Sequence, residues 1–223
     1  MMQTNFSKPQ LPEVWVKIHK SFERTKPMNI FLASKSKRRQ KILQNLGISF
    51  KTAPSDADEK NVPDLPPDEY VSGLAVRKLR AAREQKNYND DDLIICADTV
   101  VSYDGLIMGK PENEDDAFTM LTMLSGNWHE VYTGVAIAYD NKIAVDYEVT
   151  RVKFRELSSH EIEKYIASGE PMDKAGAYGI QDTASIFVER TEGDFFNIVG
   201  LPVCKLGMML KEEFNIELFD LIK

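Results

Sequence analysis

The feature that most constrains the fold is an abrupt change of pattern where the organised part of the chain begins. Residues 29–33 (NIFLA) are a short apolar run typical of a buried strand, and residues 34–47 begin polar and basic. Ile42 and Leu46 then fall one helical turn apart, and Gly47 follows as a residue that commonly ends a helix. The pattern predicts a strand that leads through a polar loop into an amphipathic helix, which is a building unit of α/β proteins.

The same alternation of strands and helices continues to the end of the chain, without internal repeats or a linker. Apolar runs predict strands at residues 48–53, 93–97 with 100–103, 131–139, 143–154 and 185–189. Helices are predicted at residues 68–86, 115–125, 159–168 and 201–214. Because the strands on either side of Asp140 and Asn141 read as a hairpin, the sheet is not purely parallel. We therefore expect one α/β domain over residues 29–223, with a mixed, twisted sheet and flanking helices.

Residues 1–28 read as an N-terminal extension. Leu11, Val14 and Ile18 fall at helical spacing, and basic side chains lie between the apolar ones. We favour an amphipathic helix that docks on its own domain. A membrane-surface or transit helix is the alternative, since such helices are basic and amphipathic. Glu13 and the small number of Arg and Ser residues argue against that alternative.

The charge balance and the cysteines limit the class of protein. The chain has 28 Lys and Arg against 35 Asp and Glu, a formal net charge of −7. Such a chain is not expected to coat nucleic acid or an anionic membrane, because nonspecific binding needs net positive charge. Cys96 and Cys204 cannot build a disulfide framework and are expected to be reduced. With no bilayer-length apolar run and no secretory signal core in residues 1–28, we expect a cytoplasmic protein.

A cluster of cationic residues lies at the junction between the first predicted strand and the first predicted helix. Five of the seven residues 35–41 are Lys or Arg. A helix N-terminus offers free backbone N–H groups and the positive end of the helix dipole, and Arg adds a planar fork for phosphate oxygens. The cluster therefore favours phosphate binding, with a solvated basic helix start as the alternative.

Three further features place ionisable groups near the carboxyl edge of the predicted sheet, where the basic cluster also lies. Asp98 interrupts an apolar strand, which suits a metal ligand or a general base, or else an Asp satisfied by backbone N–H groups. Lys110 lies in a Gly-Lys-Pro turn just beyond that strand, and a plain surface turn is the alternative. The acidic loop 54–67 contains Glu59, and carboxylates beside a polyphosphate need a divalent cation such as Mg²⁺ between them. Without such a site the loop is simply solvated.

Two glycine-rich segments lie in the last third of the chain. Residues 169–181 (GEPMDKAGAYGIQ) allow close approach of the backbone to a ligand, and Gln181 offers both a donor and an acceptor for a base edge. Residues 193–202 (GDFFNIVGLP) form a loop before the final helix. Structural turns are the alternative for both segments.

Taken together and in order, these segments resemble the Maf (septum-formation) family of nucleoside triphosphate pyrophosphatases. The resemblance runs over about residues 29–210 and rests on SKSKRRQKIL, ADTVV, GKP, LSGNWHEVYTGVAI, GEPMDKAGAYGIQ and GDFFNIVGLP. It implies an elongated α/β fold related to the inosine-triphosphate pyrophosphatases, with two lobes around a cleft, and commonly a homodimer. It also implies hydrolysis of a nucleotide to the monophosphate and pyrophosphate.

The resemblance also implies roles for individual residues. It makes Asp98 the catalytic residue and, together with Glu59, a ligand of Mg²⁺ or Mn²⁺. It assigns phosphate binding to Ser34, Arg38, Arg39, Lys78 and Lys110, and selection of the base to Arg38, Thr99 and Gln181. Thr99 together with the two glycine-rich segments is similar to the branch that acts on dTTP and UTP, with a role in removing modified pyrimidine nucleotides.

Two departures from the family pattern leave alternatives open. Lys37 stands where a proline is usual at the helix start, and Gly73 stands where an arginine is usual. These changes keep a catalytically weak nucleotide-binding regulator of cell division as an alternative, beside a 7-methyl-GTP pyrophosphatase. Nucleic acid is not an expected partner, because the basic cluster lacks interleaved aromatic residues; nor is a membrane.

Overall fold

The computed structural model describes residues 28–54, 57, 65–85 and 88–223. The strands are β1 (Ile30–Leu32), β2 (Lys51–Thr52), β3 (Leu93–Tyr103), β4 (Leu106–Met108), β5 (Trp128–Tyr139), β6 (Lys142–Phe154) and β7 (Val188–Glu192). The α-helices are α1 (Lys37–Asn45), α2 (Pro67–Gln85), α3 (Glu114–Leu124), α4 (Ser159–Ile166), α5 (Phe195–Val199) and α6 (Val203–Phe214). Short 3₁₀ turns lie at Glu170–Asp173, Ala175–Ala177, Thr183–Phe187 and Leu218–Leu221.

In the described part of the chain these strands form one mixed sheet. Its order is β2-β1-β3-β5-β6-β7, and β4 pairs with the end of β3. β1 runs parallel to β2 and β3, whereas the pairings of β3 with β5, β5 with β6 and β6 with β7 are antiparallel. The predicted mixed α/β sheet with flanking helices is confirmed.

The two faces of the sheet are covered by different helices. On one face, α2 packs its small apolar residues against the sheet in a compact cluster. On the other face, α1, α3, α4 and α6 close a much larger core around the aromatic pair Phe154 and Phe187. None of the helices in the described ranges is long and apolar enough to cross a membrane.

Strand β3 distributes its side chains between these two faces. Leu93, Ile95 and Ala97 belong to the larger core, whereas Ile94 and Cys96 pack toward α2. Because successive side chains of a strand alternate between faces, the next two residues, Asp98 and Thr99, also point to opposite sides. The sheet itself therefore divides the predicted site residues into two groups.

Helix α1 begins as the sequence predicts, in spite of the lysine at its first position. Ser36 caps the helix, its side-chain oxygen accepting the backbone N–H of Arg39 at 3.4 Å. Lys37 then takes the first helical position, which a proline would suit but does not have to fill. Gly47 follows the helix with φ +73°, a conformation that glycine adopts without steric cost.

The predicted hairpin is also present, as the longest pairing of the sheet. Asp140 and Asn141 connect β5 to β6 with φ values of +48° and +59°, the conformation that a tight two-residue hairpin turn requires. Asp and Asn tolerate positive φ better than most residues, because their short polar side chains bond locally.

Several short elements differ from the prediction. The second strand covers only Lys51–Thr52, and the strand predicted at residues 185–189 begins at Val188, after the 3₁₀ turn Thr183–Phe187. Strand β4 and helix α5 were not predicted. The helix predicted in the N-terminal extension lies outside the described residues, which begin at 28.

Candidate active site

A buried ion pair joins helix α2 to the middle of the sheet. Lys78 Nζ lies 2.5 Å from Asp98 Oδ1, and the two side chains are only 13% and 10% exposed. Lys side chains lean toward the N-terminus of their helix, which lets Lys78 reach back over the sheet. A largely buried carboxylate needs such a partner, because an unpaired buried charge is costly. The structure thus brings together the predicted catalytic residue and one predicted phosphate-binding residue.

The close approach of α2 depends on a glycine beside Asp98. Gly134 of β5 is the direct partner of Asp98 in the sheet. A Cβ on Gly134 would stand 2.4 Å from the carbonyl oxygen of Val71 and 2.7 Å from the N of Ser72, both in α2. Real Cβ atoms do not come that close to backbone. Gly134 therefore allows the helix that carries Lys78 to lie against the strand pair that carries Asp98.

On the opposite face, Arg39 joins three parts of the chain. Its Nε donates to the carbonyl oxygen of Gly200 at 2.6 Å, Nη1 to Ser34 Oγ at 3.3 Å and Nη2 to Thr99 Oγ1 at 2.8 Å. The residue is only 8% exposed. Ser34 and Thr99, two of the groups predicted for phosphate and base recognition, therefore each accept a hydrogen bond from a third, Arg39.

Thr99 also begins a buried polar network that the sequence did not reveal. Its hydroxyl lies 2.9 Å from Thr133 Oγ1, and Thr133 donates to the carbonyl oxygen of Asn197 at 2.9 Å. Thr133 has used its single proton, so Thr99 must donate to Thr133 while it accepts from Arg39. Only one acceptor lone pair of Thr99 is left for a ligand.

The network continues into helix α5 and the residue before it. Asn197 Nδ2 donates to the carbonyl oxygen of Val131 at 2.8 Å and to Thr150 Oγ1 at 3.0 Å. Thr150 in turn donates to the carbonyl oxygen of Asp194 at 2.9 Å. These bonds hold the segment at residues 193–200 against β5 and β6. The sequence offered no periodic signal for them, because each bond joins residues far apart in the chain.

A third group of charges surrounds Asp173. Arg38 Nη1 lies 3.7 Å from Asp173 Oδ2, and Lys174 Nζ lies 2.9 Å from Asp173 Oδ1. Partial burial tends to raise the pKa of Asp173, but Lys174, Arg38 and Lys110 together hold it below its ordinary value. Arg38 and Lys110 therefore both lie near the same carboxylate. Gln181 lies exposed in the neighbouring segment.

The Gly-Lys-Pro turn reaches this group because it docks on the 3₁₀ turn Ala175–Ala177. The carbonyl oxygen of Gly109 accepts the N–H of Gly176 at 2.9 Å. Gly176 has φ +63°, and a Cβ there would stand 2.7 Å from a methyl carbon of Val101. The turn that carries Lys110 is thus fixed against both β3 and the glycine-rich segment.

The donor set for a divalent cation is partly visible. Asp98 supplies one carboxylate, and Mg²⁺ commonly takes one or two carboxylates together with substrate phosphates. Glu59, the second predicted ligand, lies outside the described residues. Within the described ranges no three His, Cys, Asp or Glu side chains form a metal-binding group. Asp98 therefore fits as one carboxylate ligand of a cation that also binds substrate phosphates.

An open depression elsewhere on the molecule is a poor candidate for a triphosphate site. It is lined by Tyr88, Asn89, Asp90, Asp91, Tyr139 and Asp140. It adjoins the first residues of β3, at least five residues and roughly 16 Å of strand away from Asp98. Its aspartates would repel phosphate, so the groups around Asp98, Thr99 and Asp173 remain the candidate site.

Comparison with known proteins finds a family model and relatives that cover most of the chain. A family model described as "Maf-like protein" matches residues 29–213. A dTTP/UTP pyrophosphatase of Clostridium botulinum (strain 657 / Type Ba4) is 48% identical over 189 residues, covering 82% of this chain and 96% of that protein. The protein of the same name from Alkaliphilus oremlandii (strain OhILAs) is 48% identical over 192 residues, covering 85% and 98%.

A dTTP/UTP pyrophosphatase of Caldanaerobacter subterraneus subsp. tengcongensis is 46% identical over 192 residues, covering 85% of this chain and 91% of that one. Among solved structures, the Staphylococcus aureus Ham1 protein aligns over 83% of this chain and 99% of its own, with a TM-score of 0.46 and 13% identity. That structural likeness is too remote to support a conclusion. The family model and the close relatives each cover most of the chain, and the chain therefore belongs to the Maf family.

Proposed function

We propose that the protein hydrolyses dTTP, UTP and modified pyrimidine analogues to the monophosphate and pyrophosphate. The single structural observation that carries the proposal is the buried pair of Asp98 and Lys78 in the middle of the sheet. A carboxylate held there is suited to act on a water molecule, and cations for a triphosphate lie on neighbouring elements. The substrate identity is supported by relatives 46–48% identical that are named dTTP/UTP pyrophosphatases.

Asp98 is the proposed base. Its carboxylate would accept a proton from the attacking water, or orient that water by accepting its hydrogen bond. Lys78 holds Oδ1 of the carboxylate at 2.5 Å, which fixes the direction in which the remaining oxygen points. Because the base is already fixed in this way, it loses little conformational entropy when the substrate binds.

The remaining cations would neutralise the triphosphate and the departing pyrophosphate. Arg38 and Lys110 are the best placed, since both lie near Asp173 at positions that solvent reaches. Phosphate oxygens would bind the N–H groups of both side chains that Asp173 leaves open. Ser34 and Arg39 would contribute by shaping the loop that precedes α1, and Gln181 with Arg38 and Thr99 would select the base.

We also propose that the enzyme uses Mg²⁺ or Mn²⁺. Asp98 would hold the cation, with Glu59 as the second carboxylate. When bound, such a cation supplies charge neutralisation on the phosphate oxygens. The carboxylate chemistry of Asp98 fits this use, because hard divalent cations prefer oxygen ligands.

A substrate panel tests the proposal directly. Purified protein with Mg²⁺ is expected to release pyrophosphate from dTTP and UTP, and more slowly from CTP, GTP and 7-methyl-GTP. Asp98→Asn is expected to abolish release, whereas Asp104→Asn is the matched control. Asp104 lies exposed in a turn with φ +50°, which asparagine tolerates.

Each alternative has its own outcome in the same panel. Release of free phosphate would refute the reaction class, and activity confined to 7-methyl-GTP would refute the choice of substrate. Tight nucleotide binding without turnover under either metal would instead indicate a nucleotide-binding regulator.

We further propose that the protein works in the cytosol as a homodimer. The outward-facing residues of β6 support an interface, since Ile143, Val145 and Tyr147 are 40%, 47% and 37% exposed. Exposed apolar side chains on a strand commonly mark a contact with another chain. Sedimentation equilibrium should give twice the monomer mass, and a monomer at micromolar concentration would contradict the proposal.

A further inference from the structure

The side chain of Lys174 is a buried cation outside the Asp98 pair. It is 8% exposed, and its Nζ donates to the carbonyl oxygen of Glu170 at 2.7 Å and to Asp173 Oδ1 at 2.9 Å. Asp182 Oδ2 lies 3.8 Å from the same Nζ. Burial of an ammonium group without partners is unfavourable, and these acceptors stabilise it in its buried position. Lys174 thus gathers three points of the glycine-rich segment around itself.

The aliphatic stem of Lys174 makes a second contact, with Gly179. A Cβ on Gly179 would stand 2.6 Å from Cε and 2.8 Å from Cδ of Lys174. The backbone of Gly179 does not have a positive φ, so a larger residue there would be opposed by the space that the lysine stem takes, and not by backbone conformation. Lys174 therefore touches the chain two residues before Gln181 and, through Asp182, one residue after it.

Glu170 secures the same segment from its far side. Its Oε2 accepts the backbone N–H of Thr183 at 3.3 Å, and its Oε1 accepts the hydroxyl of Tyr165 at 2.9 Å. Burial and the neighbouring carboxylate raise the pKa of Tyr165, so the hydroxyl remains a donor at neutral pH. The residues on both sides of Gln181 are thus held, while Gln181 itself is exposed.

Asp173 connects this arrangement to Arg38. One of its oxygens meets Lys174, and the other lies 3.7 Å from Arg38 Nη1. The alternating charges of Arg38, Asp173, Lys174 and Asp182 form a chain of contacts that passes through the buried ammonium of Lys174. This chain runs from Arg38, one residue to which base selection is attributed, to Asp182, the chain neighbour of another, Gln181.

We propose that Lys174 is a positioning residue that sets the distance between Gln181 and Arg38 and thereby determines which nucleotide bases the enzyme accepts. The inference rests on the proposed function, because it assigns base selection to those two residues. Lys174 does not touch the nucleotide; it acts through Gly179, Asp173 and Asp182.

Lys174→Met is the first test, because it keeps the length of the stem and removes the charge. We expect kcat/KM for dTTP relative to GTP to fall at least tenfold, through a higher KM for dTTP, with kcat little changed. A merely structural role would lower activity on all nucleotides in parallel. Lys164→Met, an exposed lysine on α4, is the matched control and should leave the ratio unchanged.

Asp173→Asn is a second variant that is not expected to disturb folding, since the Asp173 side chain is 73% exposed. It breaks the chain between Lys174 and Arg38 and should lower the dTTP-to-GTP ratio in the same direction. If both variants are folded, as judged by melting temperature, and both keep the wild-type ratio, the inference is wrong.

Gly179→Ala gives a further check through its contact with Lys174. The added methyl should reduce selectivity in the wild-type background, where it collides with the lysine stem. In a Lys174→Ala background the space is open, so the same change should cause little further loss. Full additivity of the two losses would contradict the coupling.

Failure of the proposed function can be separated from failure of this inference. If the wild type releases no pyrophosphate from any nucleotide, calorimetry with dTTP and GTP analogues that carry a methylene bridge between the α and β phosphates measures selectivity directly. Preferential binding of the dTTP analogue that Lys174→Met abolishes would support the inference without turnover. Equal affinity of the wild type for both analogues would overturn it.

Discussion

Replacing Gly134 by alanine is expected to separate helix α2 from the sheet and to disturb the Asp98–Lys78 pair. The added Cβ would stand 2.4 Å from the carbonyl oxygen of Val71, whereas ordinary contacts begin at about 3.4 Å. The helix must therefore retreat by about 1 Å, the difference between the two distances. Neither partner in the clash is a flexible side chain, so the strain cannot be relieved by a rotamer change.

The expected cost has two components. Overpacking of a well-filled interior destabilises by about 1–3 kcal/mol, and for a chain of this length each kcal/mol lowers the melting temperature by roughly 2–4 °C. The second component is catalytic, because a catalytic group displaced by about 1 Å can lose on the order of a hundredfold in rate. We expect kcat for pyrophosphate release to fall by ten- to a hundredfold even at temperatures where the variant is folded.

Gly73→Ala is the matched control on the same helix. A Cβ at Gly73 meets no atom within 4 Å, so alanine should stabilise the helix by about 0.5–1 kcal/mol. Thermal melts and pyrophosphate release measured for both variants separate helix propensity from helix displacement. If Gly134→Ala melts and turns over like the wild type, α2 does not press on β5 and the reasoning is refuted.

Three other predictions concern buried groups. Arg39→Lys should lower the free energy of unfolding in urea by about 2–4 kcal/mol, because lysine cannot donate to all three acceptors of Arg39. An unchanged urea midpoint would contradict this. Burial raises the pKa of Cys96 to about 12, so N-ethylmaleimide at pH 8 should label native protein at the exposed Cys204 alone. Mass spectrometry counts the adducts, and a second adduct on native protein would contradict the prediction. Burial lowers the pKa of His129 to about 3, below the value of about 6.5 in the unfolded chain. The unfolded chain therefore takes up the proton first, and stability should fall by about 2 kcal/mol between pH 6.5 and pH 5; His129→Phe should lose that part of the pH dependence.

The larger elements could be predicted because their signals are local. The amphipathic stripe of α1 and the Asp140-Asn141 turn each lie within a few residues of the element they specify. Strand β4 and helix α5 were missed because three and five residues are too few to establish a period. Their conformation comes from the partners they pair with and not from their own pattern.

The candidate site was predictable by residue type but not by arrangement. A lone Asp in an apolar strand identifies Asp98, yet its partner Lys78 lies on a different element, 20 residues away. The period of two in β3 does imply that Asp98 and Thr99 point to opposite faces, and the sequence alone could have given that division. It could not give the burial of Arg39, because arginine is seldom buried and its acceptors on Thr99 and Gly200 are distant in sequence.

The two adjacent arginines of the basic cluster therefore differ in what they can do. Arg39 is enclosed and bonded to three acceptors, and moving it to a phosphate would break all three. Among the described residues, Arg38 makes one ion-pair contact, at 3.7 Å with Asp173, whose side chain is 73% exposed, and such exposed pairs contribute about 0–1 kcal/mol. The guanidinium of Arg38 carries five N–H donors, so a triphosphate can bind those that Asp173 leaves open, and Lys110, which lies near the same carboxylate, adds a further cation. We therefore expect the main effect of Arg38→Ala to be a higher KM for dTTP, and the main effect of Arg39→Ala to be a lower melting temperature.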